Sequence, residues 1–209
     1  MIRAILGGTF DPIHWGHLRP ALDVVQQIGA DILHLMPSAQ PPHRDYPGAT
    51  AQQRLAMAAL AAKELPHCAA EAWELEQPRK SYTALTLQQL AQRWPNDKLI
   101  FLLGEDAFAG LPQWYQWQHL LDHAHFVVMQ RPHTKRHYCE QLQQWLHGVE
   151  VQSIAALHEQ HHGRVYIAQT PAHDISATAI RNAIQTGAPW QHWLPASVAE
   201  YITEHQLYR

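Results

Sequence analysis

A short apolar run that ends in two glycines and leads into a helical pattern constrains the fold of this chain most. The run from Met1 to Leu6 stops at Gly7 and Gly8, as expected for a buried parallel strand. From Leu18 to Ile28 the apolar residues recur at helical spacing up to Gly29, and glycine is a common helix terminator. The chain is therefore predicted to open with a strand, a glycine-containing loop and a helix.

The loop between this strand and this helix has the properties of a phosphate-binding site. Gly7 and Gly8 let the backbone approach a ligand, and the start of the helix presents unpaired amides and a positive dipole end. His14 and His17 flank a glycine there, so both rings can donate hydrogen bonds to phosphate oxygens. An ordinary helix start is the alternative, because the chain contains 17 histidines. The double glycine and the turn Thr9-Phe10-Asp11-Pro12 favour the functional interpretation.

Composition narrows the class of protein. With 209 residues, 46% of them hydrophobic, the chain is long enough for one domain with a sizeable core. A net charge of -3 and a charged fraction of 16% give no electrostatic footprint for nucleic acid or an anionic membrane, so small molecules are the expected partners. Cys68 and Cys139 lack metal-type spacing and indicate a reducing compartment. No signal segment or membrane span is predicted, and the expected location is cytoplasmic.

Strand-like and helix-like patterns alternate along the rest of the chain. Further strands are predicted at 31–36, 68–75, 98–103, 125–129 and 164–168. This alternation predicts an α/β, Rossmann-like fold, with a mostly parallel sheet, helices on both faces and ligands bound beyond the carboxyl ends of the strands. The segment 133–162 is polar, rich in Gln and His and weakly patterned. We interpret it as a variable insertion within a single domain.

A second motif follows the last predicted strand, at Ile175-Ser176-Ala177-Thr178-Ala179-Ile180-Arg181. Ser176 can cap a helix, and Arg181 lies about one turn later; by itself this is ordinary capping. The two motifs together resemble the nucleotidyltransferase superfamily with the His-x-Gly-His signature, in which an Ile-Ser-x-Thr-x-x-Arg segment closes over the triphosphate of ATP. The resemblance implies that Ser176 and Arg181 bind phosphate, while Ile175 and Thr178 frame the nucleotide.

Three short segments suit the recognition of a second substrate. They are Ser81-Tyr82-Thr83, Gly104-Glu105-Asp106 and Trp114-Tyr115. A carboxylate just beyond a strand can bind ribose hydroxyls, and an indole can stack on a flat heteroaromatic ring. Taken singly, each segment is more typical of packing or helix capping. Their order resembles the bacterial nicotinate mononucleotide adenylyltransferase family, and Pro41-Pro42-His43-Arg44 fits the same family.

This second resemblance covers nearly the whole chain, from Ile5 to Arg209. It departs from the family at Ser38-Ala39, where relatives often carry Asn. It implies transfer of AMP from ATP to nicotinate mononucleotide, which gives the deamido form of NAD and pyrophosphate. Mg²⁺ is expected to neutralise the phosphates while ATP and water hold it, and no protein metal cage is expected.

The resemblance also implies a role for each site residue. His14 and His17 contact the triphosphate around the α-phosphate, Gly7 to Phe10 supply amides, and Arg181 stabilises the leaving pyrophosphate. His43 reaches the same site from its loop. For the mononucleotide, the implied contacts are stacking by Trp114 on the pyridine, approach of Gly104 and Asp106 to the ribose, and amides of Thr83 and Tyr115 on the carboxylate, with Tyr82 in the same pocket.

Several alternatives stay open from the sequence. Within the superfamily, the acceptor could be nicotinamide mononucleotide or phosphopantetheine. Outside it, the chain could be a nucleotide-binding module without turnover, or a histidine-rich metal-binding protein. The histidines outside the first motif are scattered, apart from His123 and His125 and the pair His161-His162, and they form no convincing ligand pattern.

Overall fold

A computed structural model describes residues 1–39, 48–77, 80–130, 137–171 and 173–209. Its strands are β1 (Ile2–Gly8), β2 (Ile32–Pro37), β3 (Cys68–Ala70), β4 (Lys98–Gly104), β5 (His125–Gln130), β6 (Glu150–Val151) and β7 (Val165–Gln169). Its α-helices are α1 (Trp15–Ile28), α2 (Ala51–Lys63), α3 (Trp73–Glu76), α4 (Thr83–Arg93), α5 (Glu105–Ala109), α6 (Glu140–Leu146), α7 (Ile154–His158), α8 (Ala177–Thr186) and α9 (Ala196–Glu204). Short 3-10 helices span Leu111–Gln113, Trp117–Asp122 and Gln191–Trp193.

The strands form one seven-stranded sheet in the order β3-β2-β1-β4-β5-β7-β6. The ladders β1·β4, β4·β5, β5·β7 and β6·β7 are all parallel, and helices connect most of the successive strands, as parallel pairing requires. The predicted α/β fold with a mostly parallel sheet is therefore confirmed. No helix among the described residues combines the length and the apolar character needed to cross a membrane.

By its internal contacts the chain divides into two compact units, each built from several segments. The first unit comprises residues 1–6, 21–33 and 82–172, and the second comprises 7–20, 34–81 and 173–209. The prediction of a single domain stays a prediction. In the first unit, β4 is buried from Leu99 to Leu103, and its neighbour β5 is buried from His125 to Val128. Central parallel strands are covered on both faces, which explains their continuous apolar runs.

The core of the second unit includes the packing of α2 against α9. On α2, Met57, Ala58 and Ala61 are fully buried, and on α9 Val198 is fully buried. A capping box starts α2: the Thr50 hydroxyl accepts from the amide of Gln53, and the Gln53 side chain accepts from the amide of Thr50. The unit therefore has a helical framework of its own.

Two sequence predictions need correction. Helix α1 begins at Trp15, two residues before the predicted start near His17, because the carbonyl of His14 already accepts the amides of His17 and Leu18. The strand predicted at 68–75 is wrong beyond Ala70: the Glu71 carboxylate accepts the Trp73 amide at 3.1 Å, and the chain turns into α3.

The polar segment 133–162 has regular structure that its weak patterning did not predict. It contains α6, α7 and the strand β6, which pairs with β7 at the edge of the sheet. A strand of two residues is too short to show the alternation by which strands are recognised. Whether this segment varies among relatives stays a prediction.

Candidate active site

The loop between β1 and α1 is built around a buried aromatic ring. Phe10 is 2% exposed and its φ of 52° is left-handed, a conformation that side chains with a Cβ rarely adopt. The ring lies edge-on to that of His17, with the centroids 5.3 Å apart. A Cβ added to Gly8 would lie 2.7 Å from Cε1 of Phe10. The second glycine is thus needed because the Phe10 ring occupies the space that a side chain would take.

The two predicted histidines lie together at the start of α1. Their rings stack with centroids 3.7 Å apart and an angle of 24° between the ring planes. His14 is buried, and its Nδ1 has no hydrogen-bond partner among the described residues. The spacing of three residues on a helix brings their side chains to one face, so the sequence argument for a shared site has a geometric basis.

Burial decides the charge of His14. The pKa of His14 is lowered to about 2, mainly by desolvation and also by the neighbouring His17, because two like charges would lie in contact. His14 is therefore neutral near pH 7. It can donate one hydrogen bond to a phosphate oxygen, but it adds no positive charge to the site.

The glycine between the histidines brings the first motif against the second. A Cβ on Gly16 would lie 2.7 Å from the carbonyl oxygen of Ile175 and 2.9 Å from Nδ1 of His14. Any larger residue would push the two segments apart, since real Cβ atoms do not approach so closely. Motifs about 160 residues apart in the sequence thus meet at the N-terminus of α1.

The second motif begins α8 as predicted. Ser176 is the N-cap, and its hydroxyl accepts the amide of Ala179 at 3.1 Å. One turn later, Arg181 donates from Nη1 to the carbonyl of Asp11 at 2.7 Å and from Nη2 to Oγ1 of Thr178 at 3.3 Å. A guanidinium has five N–H donors, so other donors of Arg181 can bind phosphate.

A buried arginine, which the sequence reasoning missed, supports the same loop. Arg54 of α2 is 1% exposed. Its Nη1 donates to the carbonyls of Thr9 at 2.7 Å and Ser38 at 2.6 Å, and its Nη2 donates to that of Ala39 at 3.0 Å. The sequence does contain a signal for this role, since Arg54 lies within the alanine-rich stretch of α2. A charged side chain on the core-facing side of a helix requires buried hydrogen-bond partners.

Ser38 and Ala39, where the chain departs from the family pattern, make hydrogen bonds through their backbone atoms. Besides the Arg54 bonds, the amide of Ala39 donates to Oγ of Ser81 at 3.0 Å. The following residues, 40–47, lie outside the described residues. His43 belongs to them, so its predicted role stays a prediction.

The residues predicted for the second substrate all lie in the first unit. The rings of Tyr82 and Tyr115 contact each other with centroids 4.8 Å apart, and Tyr115 is 48% exposed. Thr83 begins α4, Gly104 ends β4 as the residue before α5, and Asp106 lies exposed in the first turn of α5. Trp114 follows a 3-10 helix and is partly exposed. Within the described part of the chain, the side chains of Asp106 and Trp114 make no hydrogen bond.

The described residues contain no group of three or more His, Cys, Asp or Glu side chains that could hold a metal ion. His125 is fully buried, with Nε2 3.1 Å from the carbonyl of Gln160 and Nδ1 accepting the amide of Arg164. Its role in the first unit is structural. Cys68 and Cys139 are both free thiols.

A strand, a glycine loop and a His-x-Gly-His helix in a parallel sheet define a class of nucleotide-transferring α/β proteins. The family described as cytidylyltransferase-like matches residues 5–183. The chain is 44% identical over 205 residues to the "Probable nicotinate-nucleotide adenylyltransferase" of Aeromonas hydrophila, covering 98% of this chain and 96% of that one. It is 42% identical to the protein of the same name from Idiomarina loihiensis, with both chains fully covered. The chain belongs to the nicotinate-nucleotide adenylyltransferase family, and the predicted resemblance is confirmed.

Solved structures agree on the fold. The Plasmodium falciparum nicotinic acid mononucleotide adenylyltransferase complexed with NaAD aligns with a TM-score of 0.72 at 16% identity, covering 99% of this chain and 97% of that one. The same enzyme complexed with APC aligns with a TM-score of 0.71, covering 99% and 96%. At this identity the likeness supports the nucleotidyltransferase fold, which the sequence predicted.

Proposed function

We propose that the chain transfers AMP from ATP to nicotinate mononucleotide and releases pyrophosphate and nicotinate adenine dinucleotide. The observation that carries this proposal is the meeting of the two motifs at Gly16 and Ile175, beside the stacked His14 and His17. The sequence identity of 44% to a relative named for this acceptor supports the choice of substrate. Both substrates are small molecules, and no nucleic acid is required.

The reaction is a direct displacement at phosphorus. An oxygen of the mononucleotide 5′-phosphate forms a bond to the α-phosphorus of ATP, and the bond from that phosphorus to the oxygen bridging to the β-phosphate breaks. Its electron pair leaves with pyrophosphate. Such transfers require alignment of the nucleophile and leaving group and stabilisation of charge on the phosphates, so no covalent intermediate on the protein is needed.

The segment from Gly7, at the end of β1, to His17, in the first turn of α1, provides the phosphate cradle in this proposal. The amides of Gly7 to Phe10 and the N-terminus of α1 face the triphosphate, where the helix dipole favours negative charge. His17 and the neutral His14 donate hydrogen bonds to oxygens of the α-phosphate. Because these donors are fixed before the substrate arrives, little reorganisation is needed as charge develops.

The second motif completes the nucleotide site. Arg181 is anchored on the Asp11 carbonyl, and its remaining N–H groups stabilise the departing pyrophosphate. The Ser176 hydroxyl also binds phosphate, while Ile175 and Thr178 frame the nucleotide. His43 is proposed as a further ATP ligand from the sequence alone.

Mg²⁺ is proposed to be held by ATP and water. Asp11 is the one carboxylate of the loop from Gly7 to His17, and both of its oxygens already accept hydrogen bonds from the protein. The loop therefore offers donors for phosphate oxygens and no uncommitted carboxylate, which fits an ion that arrives with the nucleotide. When bound, Mg²⁺ neutralises charge on the phosphates.

The mononucleotide is proposed to bind to the residues of the first unit. Trp114 stacks on the pyridine ring, and Gly104 and Asp106 approach the ribose. The amides of Thr83 and Tyr115 receive the nicotinate carboxylate, and the ring of Tyr82 supports Tyr115. Recognition by amide donors favours a carboxylate over a carboxamide, whose NH₂ group would meet an N–H donor.

A cytoplasmic location is proposed on the two free thiols, Cys68 and Cys139. Cys68 lies in the second unit, where burial raises the pKa of its thiol to about 12. A thiol of that kind is inert as a nucleophile, so Cys68 is assigned no role in the reaction.

The test is pyrophosphate release by the purified protein with ATP and Mg²⁺ and three acceptors in parallel: nicotinate mononucleotide, nicotinamide mononucleotide and phosphopantetheine. We expect release with the nicotinate form and much less with the other two. Release only with phosphopantetheine would retain the chemistry and reject the acceptor. No release with any acceptor, despite ATP binding, would favour a nucleotide-binding module.

A further inference from the structure

The penultimate residue of the chain reaches the phosphate cradle. Tyr208 is 8% exposed, and its hydroxyl donates to Oδ1 of Asp11 at 2.8 Å across 197 positions of sequence. Asp11 lies between Phe10 and His14, within the loop that carries both histidines. None of the roles proposed above for the reaction uses Tyr208.

The Asp11 carboxylate accepts hydrogen bonds from several segments of the second unit. Its Oδ2 accepts the amide of Gly48 at 2.8 Å, and its Oδ1 accepts the amide of Ala49 at 3.0 Å in addition to the Tyr208 hydroxyl. Nη1 of Arg181 lies 3.8 Å from Oδ2 and donates to the Asp11 carbonyl. The carboxylate is thus surrounded by donors, which is how a buried charge is accommodated in a protein interior.

The backbone conformation after α9 places the Tyr208 side chain beside Asp11. Gln206 and Tyr208 both have left-handed φ angles, of 52° and 65°, a conformation that is unfavourable for residues other than glycine. The amide of Leu207 donates to the carbonyl of Ile202 at 3.0 Å. A Cβ on Gly48 would lie 3.0 Å from Cδ1 of Tyr208, so the glycine leaves room for the tyrosine ring.

The hydroxyl of Tyr208 stays protonated. Burial raises the pKa of Tyr208 above its ordinary value, and the negative charge of Asp11 raises it further. Tyr208 is therefore a donor to Asp11 throughout the pH range in which activity would be measured.

Two buried side chains hold the loop at adjacent points. Arg54 holds the carbonyl of Thr9, and Tyr208 holds the side chain of Asp11. Between them Phe10 adopts its left-handed conformation and packs against His17. The carbonyl of Asp11, in turn, anchors Arg181. The loop conformation and the position of Arg181 therefore depend on the same small set of contacts.

We propose that Tyr208 is a positioning residue for adenylyl transfer: through Asp11, its hydroxyl sets the conformation of the loop that presents His14 and His17 and of the carbonyl that anchors Arg181. This inference rests on the proposed function. A misplacement on the order of 1 Å can cost about 100-fold in a reaction that depends on alignment. Removal of the Tyr208 hydroxyl is therefore expected to lower kcat/KM for ATP by roughly 10- to 100-fold.

The experiment uses Tyr208→Phe, which removes the hydroxyl and keeps the ring, in the full chain. Tyr201→Phe is the matched control, because Tyr201 lies on α9, its ring contacts His205 and its hydroxyl makes no hydrogen bond within the described residues. For each variant we would measure Tm, kcat and the KM of ATP and of nicotinate mononucleotide, at a temperature well below every Tm. Asp11→Ala, which removes the acceptor of the Tyr208 hydroxyl, and the double variant complete a double-mutant cycle.

We expect kcat/KM for ATP to fall at least 10-fold in Tyr208→Phe, with the KM of the mononucleotide changed less than twofold and Tyr201→Phe like the wild type. In the cycle, the double variant should be hardly worse than Asp11→Ala, since both changes break the hydrogen bond between Tyr208 and Asp11. A Tyr208→Phe variant with a lower Tm but wild-type kcat and KM for ATP would make Tyr208 merely structural. Independent, additive effects of the two substitutions would also overturn the proposal.

A second readout separates this inference from the proposed function. If the wild type releases no pyrophosphate with any acceptor, the proposed function fails, and calorimetric binding of a non-hydrolysable ATP analogue then tests Tyr208. About 10-fold weaker binding by Tyr208→Phe, with normal binding by Tyr201→Phe, would support the positioning role. Equal binding by all three proteins would overturn it.

Discussion

The two sets of proposed substrate residues differ in how firmly the protein holds them. In the second unit, His14, Asp11 and Arg54 are buried, and Asp11 and Arg54 are tied to neighbouring backbone by several hydrogen bonds. In the first unit, Asp106 and Tyr115 are exposed. Charge stabilisation at a phosphate requires donors that are fixed in advance, whereas stacking on a flat ring tolerates small displacements. The difference predicts that substitutions in the second unit affect kcat and those in the first unit affect KM for the acceptor.

The largest effect is expected for His17→Ala. Removal of a hydrogen-bond donor that stabilises a transition-state oxygen costs about 100- to 1,000-fold in kcat, and His17 also supports Phe10 and His14. We expect turnover to fall about 1,000-fold with little change in the far-ultraviolet circular dichroism. His147→Ala, at an exposed histidine that follows α6, is the control. A folded His17→Ala protein with near-normal turnover would remove His17 from the mechanism.

Arg181 should come next. Arg181→Lys keeps the positive charge but cannot bond the Asp11 carbonyl and a phosphate in the same planar geometry. We expect kcat to fall about 100-fold in steady-state assays of pyrophosphate release, with Arg181→Ala lower still. If both variants lowered kcat equally, the positive charge would contribute nothing, and if neither did, the proposed contact with pyrophosphate would be wrong.

Trp114→Ala should have a smaller effect, and on a different constant. Loss of stacking is worth about 1–3 kcal/mol for a nucleic-acid base, so the KM for nicotinate mononucleotide should rise roughly 10-fold while the KM for ATP stays the same. Trp114→Phe, which keeps an aromatic face, should recover most of the loss. A rise in the KM of ATP alone would show that Trp114 contacts ATP and not the mononucleotide. It would also contradict the proposed difference between the two units.

The smallest expected effect is on the pH dependence of stability. This prediction concerns one buried histidine from each unit, His14 and His125. The pKa of His14 is lowered to about 2 and that of His125 to about 4, in both cases mainly by burial. A histidine in the unfolded chain binds a proton below about pH 6.5. The unfolded state therefore binds more protons than the folded state in this pH range. The free energy of unfolding should therefore fall as the pH drops from 7 to 5, by on the order of 1 kcal/mol per pH unit for each residue.

Urea unfolding at pH 7, 6 and 5 measures this dependence. His125→Gln keeps a donor and an acceptor at that position and should remove the share of the slope that belongs to the first unit. His14→Asn should remove the part of the slope of unfolding free energy against pH that belongs to the second unit. Stability that is constant or rises on acidification would show that the two histidines take up protons in the folded state.

Local signals account for what the sequence predicted well. The first strand, its glycine loop and the end of α1 at Gly29, whose φ is 64°, depend on residues that are neighbours in the chain. The Ser176 cap is local too, since it joins residues three apart. In each case, hydrophobic periodicity or capping chemistry is sufficient to place the element.

Long-range contacts account for what it missed. The bond from Tyr208 to Asp11 spans 197 positions, and that from Arg54 to Thr9 spans 45. No pattern within a window of a dozen residues encodes such a pair. The contact between Gly16 and Ile175 was likewise hidden, although the family resemblance brought their two motifs to the same substrate. The two motifs could thus be found in the sequence, but the contacts that support them could not.

The most direct test of the account follows the labelled α-phosphate of ATP. Wild-type protein would be incubated with [α-³²P]ATP, Mg²⁺ and nicotinate mononucleotide, and label and pyrophosphate would be measured in the same samples. Direct transfer predicts label in the dinucleotide in equal amount to the pyrophosphate released, and none on the protein after denaturation. Label bound covalently to the protein, or pyrophosphate released without labelled dinucleotide, would contradict adenylyl transfer between substrates that the protein aligns.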